Sequence, residues 1–309
     1  MTGRPLKPLI SIVMTGRNDN QNGDFELRAE YAIRHNVALL EKYGIEYEWI
    51  WVEWNSLPDR HFFGTAVRRM VRNFRGYVVP ASVHNHLCDN PHIGVMQFFG
   101  KNAGIRRAAG EWVLSMNADT YLTDEVLSQL AAGSLRKDTF FLATRVDFPA
   151  GLLKTQPSSY PINDIAGRPA VRIDRIMLPD AYGAAGDFTL LNRETLFKLG
   201  AHYEGIRFSN HHLDTLLGHQ HKSMGGAFAV IGHVFHADHA DSWNNTIAGA
   251  CKNHHHGCNY NCRKISIPYR NAPNWGLADY EESAIAGNFL ELNPPAGQEV
   301  RRSMPENVI

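Results

Sequence analysis

The chain is poor in cysteine, and it carries no excess of charge of either sign. Four cysteines among 309 residues are too few for a disulfide scaffold. The 31 basic and 31 acidic residues cancel, so the composition gives no electrostatic basis for binding nucleic acid or an anionic membrane. We therefore expect partners other than nucleic acid, and a reducing environment.

Long apolar segments are missing as well. No run approaches the roughly 18 consecutive apolar residues of a membrane-spanning helix. Residues 1–8 lack the apolar core of a signal peptide and lead directly into a β-rich run. These features predict a protein without a transmembrane segment and with a cytoplasmic location.

Alternating β-rich and helical segments fill the first half of the chain. Residues 9–14 and 47–53 are near-continuous apolar runs, as expected for parallel strands that are covered on both faces. Residues 24–43 between them have the apolar periodicity of a helix. The sequence predicts an α/β domain over residues 1–240 and an irregular C-terminal extension, 241–309, packed on it.

Polar side chains stand where three of the predicted strands end. Asn117 and Asp119 follow the apolar run 112–114, Glu53 closes the second strand, and the loop 15–18 follows the first. The carboxyl ends of neighbouring parallel strands form one crevice in an open α/β sheet. A carboxylate there, with an oxygen donor two residues earlier, suits a divalent cation that bridges phosphates. This pattern predicts chemistry on a nucleotide-activated substrate.

Short motifs follow one another in a fixed order between residues 8 and 130. They are Thr-Gly-Arg-Asn after the first strand, an acid ending the second, then Asn-Ala-Gly-Ile, Ala-Ala-Gly-Glu and Asn-Ala-Asp-Thr. This order resembles the GT-A glycosyltransferases, in particular the family-2-like enzymes, and residues 101–120 are its most specific part. The resemblance implies a GT-A fold, with a mostly parallel twisted sheet flanked by helices.

The resemblance also implies roles for residues of the first half. The second-strand acid of that family contacts the nucleobase or ribose, and this role falls on Glu53. Its Asp-x-Asp motif binds a divalent metal and the diphosphate, which falls on Asn117 and Asp119. Two residues depart from the pattern, because Glu53 replaces the usual aspartate and Asn117 replaces an acid. The complete set of implied donor-binding residues is Thr15, Gly16, Arg17, Asn18, Glu53, Asn102, Asn117 and Asp119.

The second half is similar to the acceptor half of GT-A enzymes. Its glycine-flanked stretch 183–192 contains Asp187, and Asp214 stands near the start of a predicted helix. On spacing alone, each acid is an ordinary turn or helix carboxylate. The resemblance implies that they are catalytic residues, with Asp214 as the base of an inverting reaction and Asp187 as a sugar or acceptor contact.

Histidines cluster after the last predicted strand of the domain. His233, His236 and His239 recur every three residues, and imidazole is a suitable ligand for metals such as Mn²⁺. Several GT-A enzymes complete their metal site with a histidine at this place. The resemblance therefore implies a site for Mn²⁺ or Mg²⁺ formed by Asp119 with His236 or His239.

A second cluster of potential metal ligands contains three of the four cysteines. Cys251, Cys258 and Cys262 surround three consecutive histidines, so a structural zinc ion is one interpretation. The compact pair of cysteines two residues apart, typical of zinc knuckles, is missing. An ordinary loop with buried thiols is the favoured interpretation.

Three functions remain open from the sequence. The first is a metal-dependent glycosyltransferase that moves a sugar from a nucleotide-sugar donor to a glycan, lipid-linked or small-molecule acceptor, with inversion expected. The second is a nucleotidyltransferase on a related scaffold, which would need a phosphate loop richer in glycine and lysine than residues 15–18. The third is a non-catalytic zinc-binding interaction protein built around residues 251–262.

Overall fold

A computed structural model of the chain describes residues 9–149, 172–174, 186–210, 213–238 and 270–297. One mixed sheet runs through these segments, and helices cover it. The strands are β1 Ile10–Gly16, β2 Tyr47–Trp54, β3 Phe74–Val79, β4 Trp112–Met116, β5 Thr120–Tyr121, β6 Thr139–Pro149, β7 Arg172–Asp174, β8 Phe188–Asn192, β9 Ala227–Asp238, β10 Glu281–Ile285 and β11 Phe289–Asn293. The helices are α1 Phe25–Lys42, α2 Gly64–Met70, α3 Ala81–Leu87, α4 Gln97–Arg106, α5 Asp124–Ala131, α6 Arg193–Leu199 and α7 Leu213–Ser223.

The order of the strands separates a parallel half of the sheet from a mixed half. The order is β10-β11-β3-β2-β1-β4-β8-β6-β9-β5, and β7 pairs with β6. Strands β3, β2, β1 and β4 are parallel, whereas β8 is antiparallel to both β4 and β6. The carboxyl ends of β1, β2 and β4 therefore meet at one edge, as the sequence predicted. The predicted α/β class with helix-flanked parallel strands is confirmed.

The central strands are buried because both of their faces carry apolar side chains. Every residue of β1 and β2 is buried. On β2, Trp49 and Trp51 belong to one core cluster, whereas Ile50 and Val52 belong to the cluster on the opposite face. Successive side chains of a strand point to opposite faces, which explains how one apolar run serves two cores.

A glycine sets how closely α4 approaches the sheet. A Cβ atom at Gly104 would lie 2.5 Å from Cγ1 of Val13 on β1, which is too close for any larger residue without a shift. The sequence motif that contains Gly104 therefore places this helix directly against the central strand. As a result, Lys101 of the same helix lies beside the end of β4.

Local signals located most elements well. Thr123 caps α5 with its side chain, as expected, and Asn192 and Gly200 delimit α6. The apolar run 139–144 predicts a strand, and the structure extends it as β6 to Pro149, which places Asp147 inside the sheet. The short strand β5, which pairs with Phe235 and His236 of β9, was not predicted.

The prediction of an irregular C-terminal extension was wrong for residues 281–293. There, β10 and β11 form an antiparallel hairpin, and β11 extends the main sheet by pairing in parallel with β3. Its connection passes through Gly287 and Asn288, both with positive φ, as in tight hairpin turns. The domain boundary at residue 240 stays a prediction.

Within the described ranges, no helix combines the length and the apolar character needed to cross a membrane. The longest helix with described ends, α1, carries charged residues along its length.

Candidate active site

Charged side chains from distant parts of the chain meet just beyond the end of β4. Strand β4 ends at Met116, and the turn that follows contains Asn117 and Asp119. Strand β8 runs antiparallel beside β4 and brings Asp187 to the same place, since Asn117 N donates to Asp187 O over 3.2 Å. We define the β4-tip cluster as Arg28, Lys101, Asn117, Asp119, Arg145, Asp147, Asp187 and His236.

Asp119 is held between two basic side chains. Only 5% of the surface of Asp119 is exposed to solvent. Arg28 Nε of α1 donates to Asp119 Oδ2 over 3.1 Å. His236 Nε2 of β9 lies 3.5 Å from the other oxygen, Oδ1. The pairing of β5 with β9 explains this approach, because it sets Thr120 opposite His236. The structure thus brings together Asp119 and His236, as the sequence predicted.

His236 is fixed by a second carboxylate on its other ring nitrogen. Its Nδ1 lies 3.0 Å from Asp147 Oδ1 and 2.9 Å from Arg145 Nη2. Burial alone lowers the pKa of His236, but Asp119 and Asp147 outweigh it and raise that pKa to about 9. With a proton on Nδ1 directed at Asp147, the ring faces Asp119 through Nε2. A carboxylate behind the ring is also the usual support of a metal-binding histidine.

Asn117 and Asp187 are bonded to each other and so link Lys101 with Arg145 within the β4-tip cluster. The amide of Asn117 donates to Asp187 Oδ1, and Arg145 Nη1 donates to Asp187 Oδ2 over 2.5 Å. Arg145 also contacts Asp147 through Nε over 2.8 Å. Burial opposes the charge of Arg145, but the two aspartates dominate and raise its pKa. Asp147 and Asp187 therefore share Arg145 as a basic partner.

Lys101 reaches the cluster from α4 as a fully buried ammonium group. Its Nζ donates to Asn117 Oδ1 and to Gly186 O, each over 2.9 Å. Burial lowers the pKa of Lys101 to about 8, and the charges of Asp187, Asp214 and Asp119 limit the fall. The three aspartates thus share one electrostatic environment.

Asp214 stands at the start of α7, next to the turn that carries Asp187. A Cβ atom at Gly186 would lie 3.2 Å from Asp214 Oδ2 and 2.9 Å from the ring of Phe98. Because glycine has no side chain, the carboxylate of Asp214 can lie close to the backbone at Gly186. The structure brings together the two acids that the sequence singled out as catalytic.

The end of β1 and the loop that follows it use most of their polar groups to hold β2 and the loop after it. Thr15 Oγ1 donates to Val52 O over 2.9 Å, and Asn18 bonds Leu57 through both its amide and its carbonyl oxygen. Gly16 packs against Trp51, with 2.6 Å from its ideal Cβ position to the indole. These three predicted donor-binding residues therefore build the loop in the described structure.

Arg17 belongs to the same loop and is partly exposed. Its Nε donates to Asn55 O over 2.6 Å, and its Nη1 lies 3.4 Å from Asp19. The positive charge of Arg17 reaches His84, where it adds to the effect of burial and lowers the histidine pKa to about 4. Arg17 is thus a partly exposed cation of this loop.

Glu53 lies beneath the crevice, not on its surface. It is 0% exposed, and its Oε2 accepts hydrogen bonds from Trp51 Nε1 over 2.7 Å and from Gly64 N over 2.9 Å. Burial raises the pKa of Glu53 to about 7, although these hydrogen bonds oppose the rise. Through these hydrogen bonds Glu53 supports the start of α2, and it does not contact the β4-tip cluster.

Asn102 is also directed away from the cluster. Its amide nitrogen donates to His202 O over 2.6 Å and to Glu204 Oε1 over 2.8 Å, and its Oδ1 accepts from His202 N. Both amide hydrogens are therefore committed to the segment after α6. The structure places Asn102 in a scaffold role where the sequence predicted a donor contact.

Two other predictions concern residues outside the described ranges. His239, the alternative metal ligand, and the cluster Cys251, Cys258 and Cys262 both lie there. The zinc interpretation therefore stays a prediction for those residues.

Sequence reasoning missed four members of the cluster, namely Arg28, Lys101, Arg145 and Asp147. Arg28 had a usable signal, because it lies four residues before Ala32 on the apolar stripe of α1. A charged residue in such a stripe is buried and needs partners. Arg145 and Asp147 had none, because they lie beyond the apolar run that defined the predicted strand.

The donor atoms fit a divalent cation in part. Asp119 Oδ1 and His236 Nε2 are 3.5 Å apart, a separation that one ion with bonds of about 2.1 Å to each can span. Across the part of the chain that the structure describes, no three His, Cys, Asp or Glu side chains are grouped to hold a metal ion. The protein thus offers two ligands here, and substrate oxygens and water would supply the others.

Comparisons with known proteins gave matches among solved structures alone. No protein-family model and no curated protein matches the chain. TarS 1–349 of S. aureus is 14% identical, with 74% of this chain and 60% of that chain covered and a TM-score of 0.45. GalNAc-T7, crystallised with UDP, GalNAc and Mn²⁺, is 11% identical, with 89% and 54% covered and a TM-score of 0.49.

A third match is the catalytic domain of Drosophila β1,4-galactosyltransferase 7 in complex with xylobiose. It is 12% identical, with 92% of each chain covered and a TM-score of 0.41. The chain spans 60% and 54% of the first two matched structures. At such identities and TM-scores they carry no argument about activity, which rests on the site itself.

Proposed function

We propose that this protein is a metal-dependent glycosyltransferase that uses a nucleotide-sugar donor. The observation that carries the proposal is the convergence of Asp119, His236, Asp187 and Lys101 at the carboxyl end of β4. Burying four ionisable groups together costs free energy that apolar residues would not cost. Such clusters in a crevice at the strand ends of an α/β sheet are typical of functional sites.

Asp119 and His236 are the proposed ligands of the cation, which is Mn²⁺ or Mg²⁺. When bound, such a cation stabilises the negative charge that develops on the departing nucleoside diphosphate. Lys101 and Arg145 keep the surrounding carboxylates balanced, so that their charge does not repel the diphosphate. Asn117 in place of an acid removes one negative charge from the same place.

Asp214 is the proposed base of an inverting reaction. It adjoins the Gly186 turn, and a carboxylate at this position can take the proton of an acceptor hydroxyl as that oxygen attacks the anomeric carbon. Asp187 suits the base role less, because Asn117 and Arg145 occupy both of its oxygens. We assign Asp187 to positioning the donor sugar or the acceptor.

Arg17 is the proposed nucleotide contact among the residues of the β1 loop. Its guanidinium group is partly exposed, whereas Thr15 and Asn18 are buried and hold the loop itself. The acceptor is a hydroxyl of a glycan, a lipid-linked sugar or a small molecule.

A thermal-shift panel of nucleoside diphosphates, with and without Mn²⁺, tests the proposal. We expect at least one nucleotide to raise the melting temperature in the presence of Mn²⁺ far more than without it. In Asp119→Ala, this metal-dependent part of the shift is expected to disappear. A wild-type protein that no nucleotide stabilises in a metal-dependent way would contradict the proposed function.

A further inference from the structure

Arg28 is the most deeply buried cation of α1. It is 1% exposed, and it lies among Ala29, Ala32 and Ile33 on the helix stripe that faces the core. A buried guanidinium group is stable in a protein only when carboxylates and hydrogen bonds compensate its lost hydration. The partners of Arg28 therefore indicate the role of this residue.

Two carboxylates compensate Arg28, and they belong to different parts of the crevice. Nε donates to Asp119 Oδ2 over 3.1 Å, and Nη1 donates to Asp24 Oδ1. Asp24 directly precedes α1 and ends the loop that follows β1. The guanidinium group thus connects the end of the β1 loop with the acid after β4.

The contact with Arg28 decides which oxygen of Asp119 faces His236. Because Arg28 engages Oδ2, the carboxylate presents Oδ1 to His236 Nε2. A guanidinium group is planar and donates in fixed directions, so with Nη1 held by Asp24 its Nε directs one hydrogen bond at Asp119 Oδ2. An ammonium group in its place would supply charge without this directional control.

We propose that Arg28 is a positioning residue that orients Asp119 for the cation and couples this orientation to the β1 loop. The inference rests on the proposed function, because that function makes the carboxylate of Asp119 a ligand of the cation. Residues that orient metal ligands in this way typically account for a factor of about 10 to 100 in metal affinity. Arg28 is expected to fall in this range.

The test measures Mn²⁺ affinity by electron paramagnetic resonance of the free ion, with and without UDP. Arg28→Lys keeps the charge and removes the planar group, and we expect it to weaken Mn²⁺ binding about 10-fold or more. Arg34→Lys is the matched control, because Arg34 lies on the exposed face of the same helix, paired with Glu30. This control is expected to bind Mn²⁺ like the wild type.

A second variant covers the case in which Arg28→Lys does not fold. Asp24→Asn leaves Arg28 and Asp119 in place and removes the charge at the β1 loop, so we expect a smaller loss of Mn²⁺ affinity in the same direction. Wild-type Mn²⁺ affinity in both Arg28→Lys and Asp24→Asn would overturn the inference and leave the proposed function intact. A wild-type protein that binds no Mn²⁺ with any nucleoside diphosphate of the thermal-shift panel would overturn both.

Discussion

The ends of β2 and β4 lie at the same edge of the sheet but use their acids differently. Glu53 is sealed beneath the surface, where it accepts hydrogen bonds from Trp51 and from the first residue of α2. Asp119 also is buried, yet its neighbours are the cationic groups of Arg28 and His236. One acid supports the scaffold, and the other belongs to a charged cluster.

This difference shows how position and partner together decide the role of an acid. Glu53 has neutral partners, so burial dominates and raises its pKa to about 7. The acids of the β4-tip cluster have cationic partners, and Asp147 illustrates the result. Burial raises the pKa of Asp147, but hydrogen bonds from His236 and Arg145 outweigh it and lower that pKa. Asp147 thus keeps its negative charge beside the end of β4.

The largest effect is expected on the β4 side, from Asp214→Asn. If Asp214 is the base, removing its charge lowers kcat by about 10² to 10⁴, because general-base catalysis contributes this factor. Donor and Mn²⁺ affinities are expected to change little, since Asp214 is not among the proposed ligands. Steady-state kinetics with a saturating donor, together with Mn²⁺ titration, would measure both quantities.

Glu194→Gln is the control for that variant, because Glu194 occupies the first turn of α6 as an exposed acid. Its activity is expected to equal that of the wild type. Full activity of Asp214→Asn would remove Asp214 from the mechanism and would favour a reaction without this base.

A smaller effect is expected on the β2 side, from Glu53→Gln. The pKa of Glu53 lies at about 7 in the folded protein and near 4.5 when unfolded, so the folded state retains its proton longer. The wild type therefore loses stability as the pH rises from 4.5 through 7, by up to about 3 kcal/mol. Glutamine cannot titrate, and this part of the pH dependence is expected to vanish.

Urea unfolding of the wild type and of Glu53→Gln at pH 5 and pH 8 measures this contribution. Glu281→Gln serves as the control, because Glu281 is an exposed acid of β10. Equal pH dependence in all three proteins would mean that Glu53 is ionised in the fold, and the contrast with Asp119 would disappear.

Much of the fold could be predicted because its signals are local. The apolar runs that form β1 and β2, the cap at Thr123 and the stop at Gly200 each follow from a few adjacent residues. The hairpin of β10 and β11 has a local signal in its Gly-Asn turn, but its strands carry too little apolar alternation to stand out.

The candidate site was predictable only in part, because hydrogen-bond partners are set by the tertiary structure. The resemblance correctly brought together Asp119, Asp187, Asp214 and His236, although their roles stay predictions. It also proposed Asn102, whose partners lie about one hundred residues away and occupy its amide. Arg28 reaches Asp119 across a separation of 91 residues. No local pattern encodes such pairs.

The central claim is that Asp119 and His236 together bind the cation. Crystals of the protein grown with UDP and Mn²⁺ would test it directly through the anomalous scattering of manganese. We predict an anomalous peak within bonding distance of both Asp119 Oδ1 and His236 Nε2. A manganese peak bound elsewhere in the protein, or ordered UDP without manganese beside these two atoms, would contradict the claim.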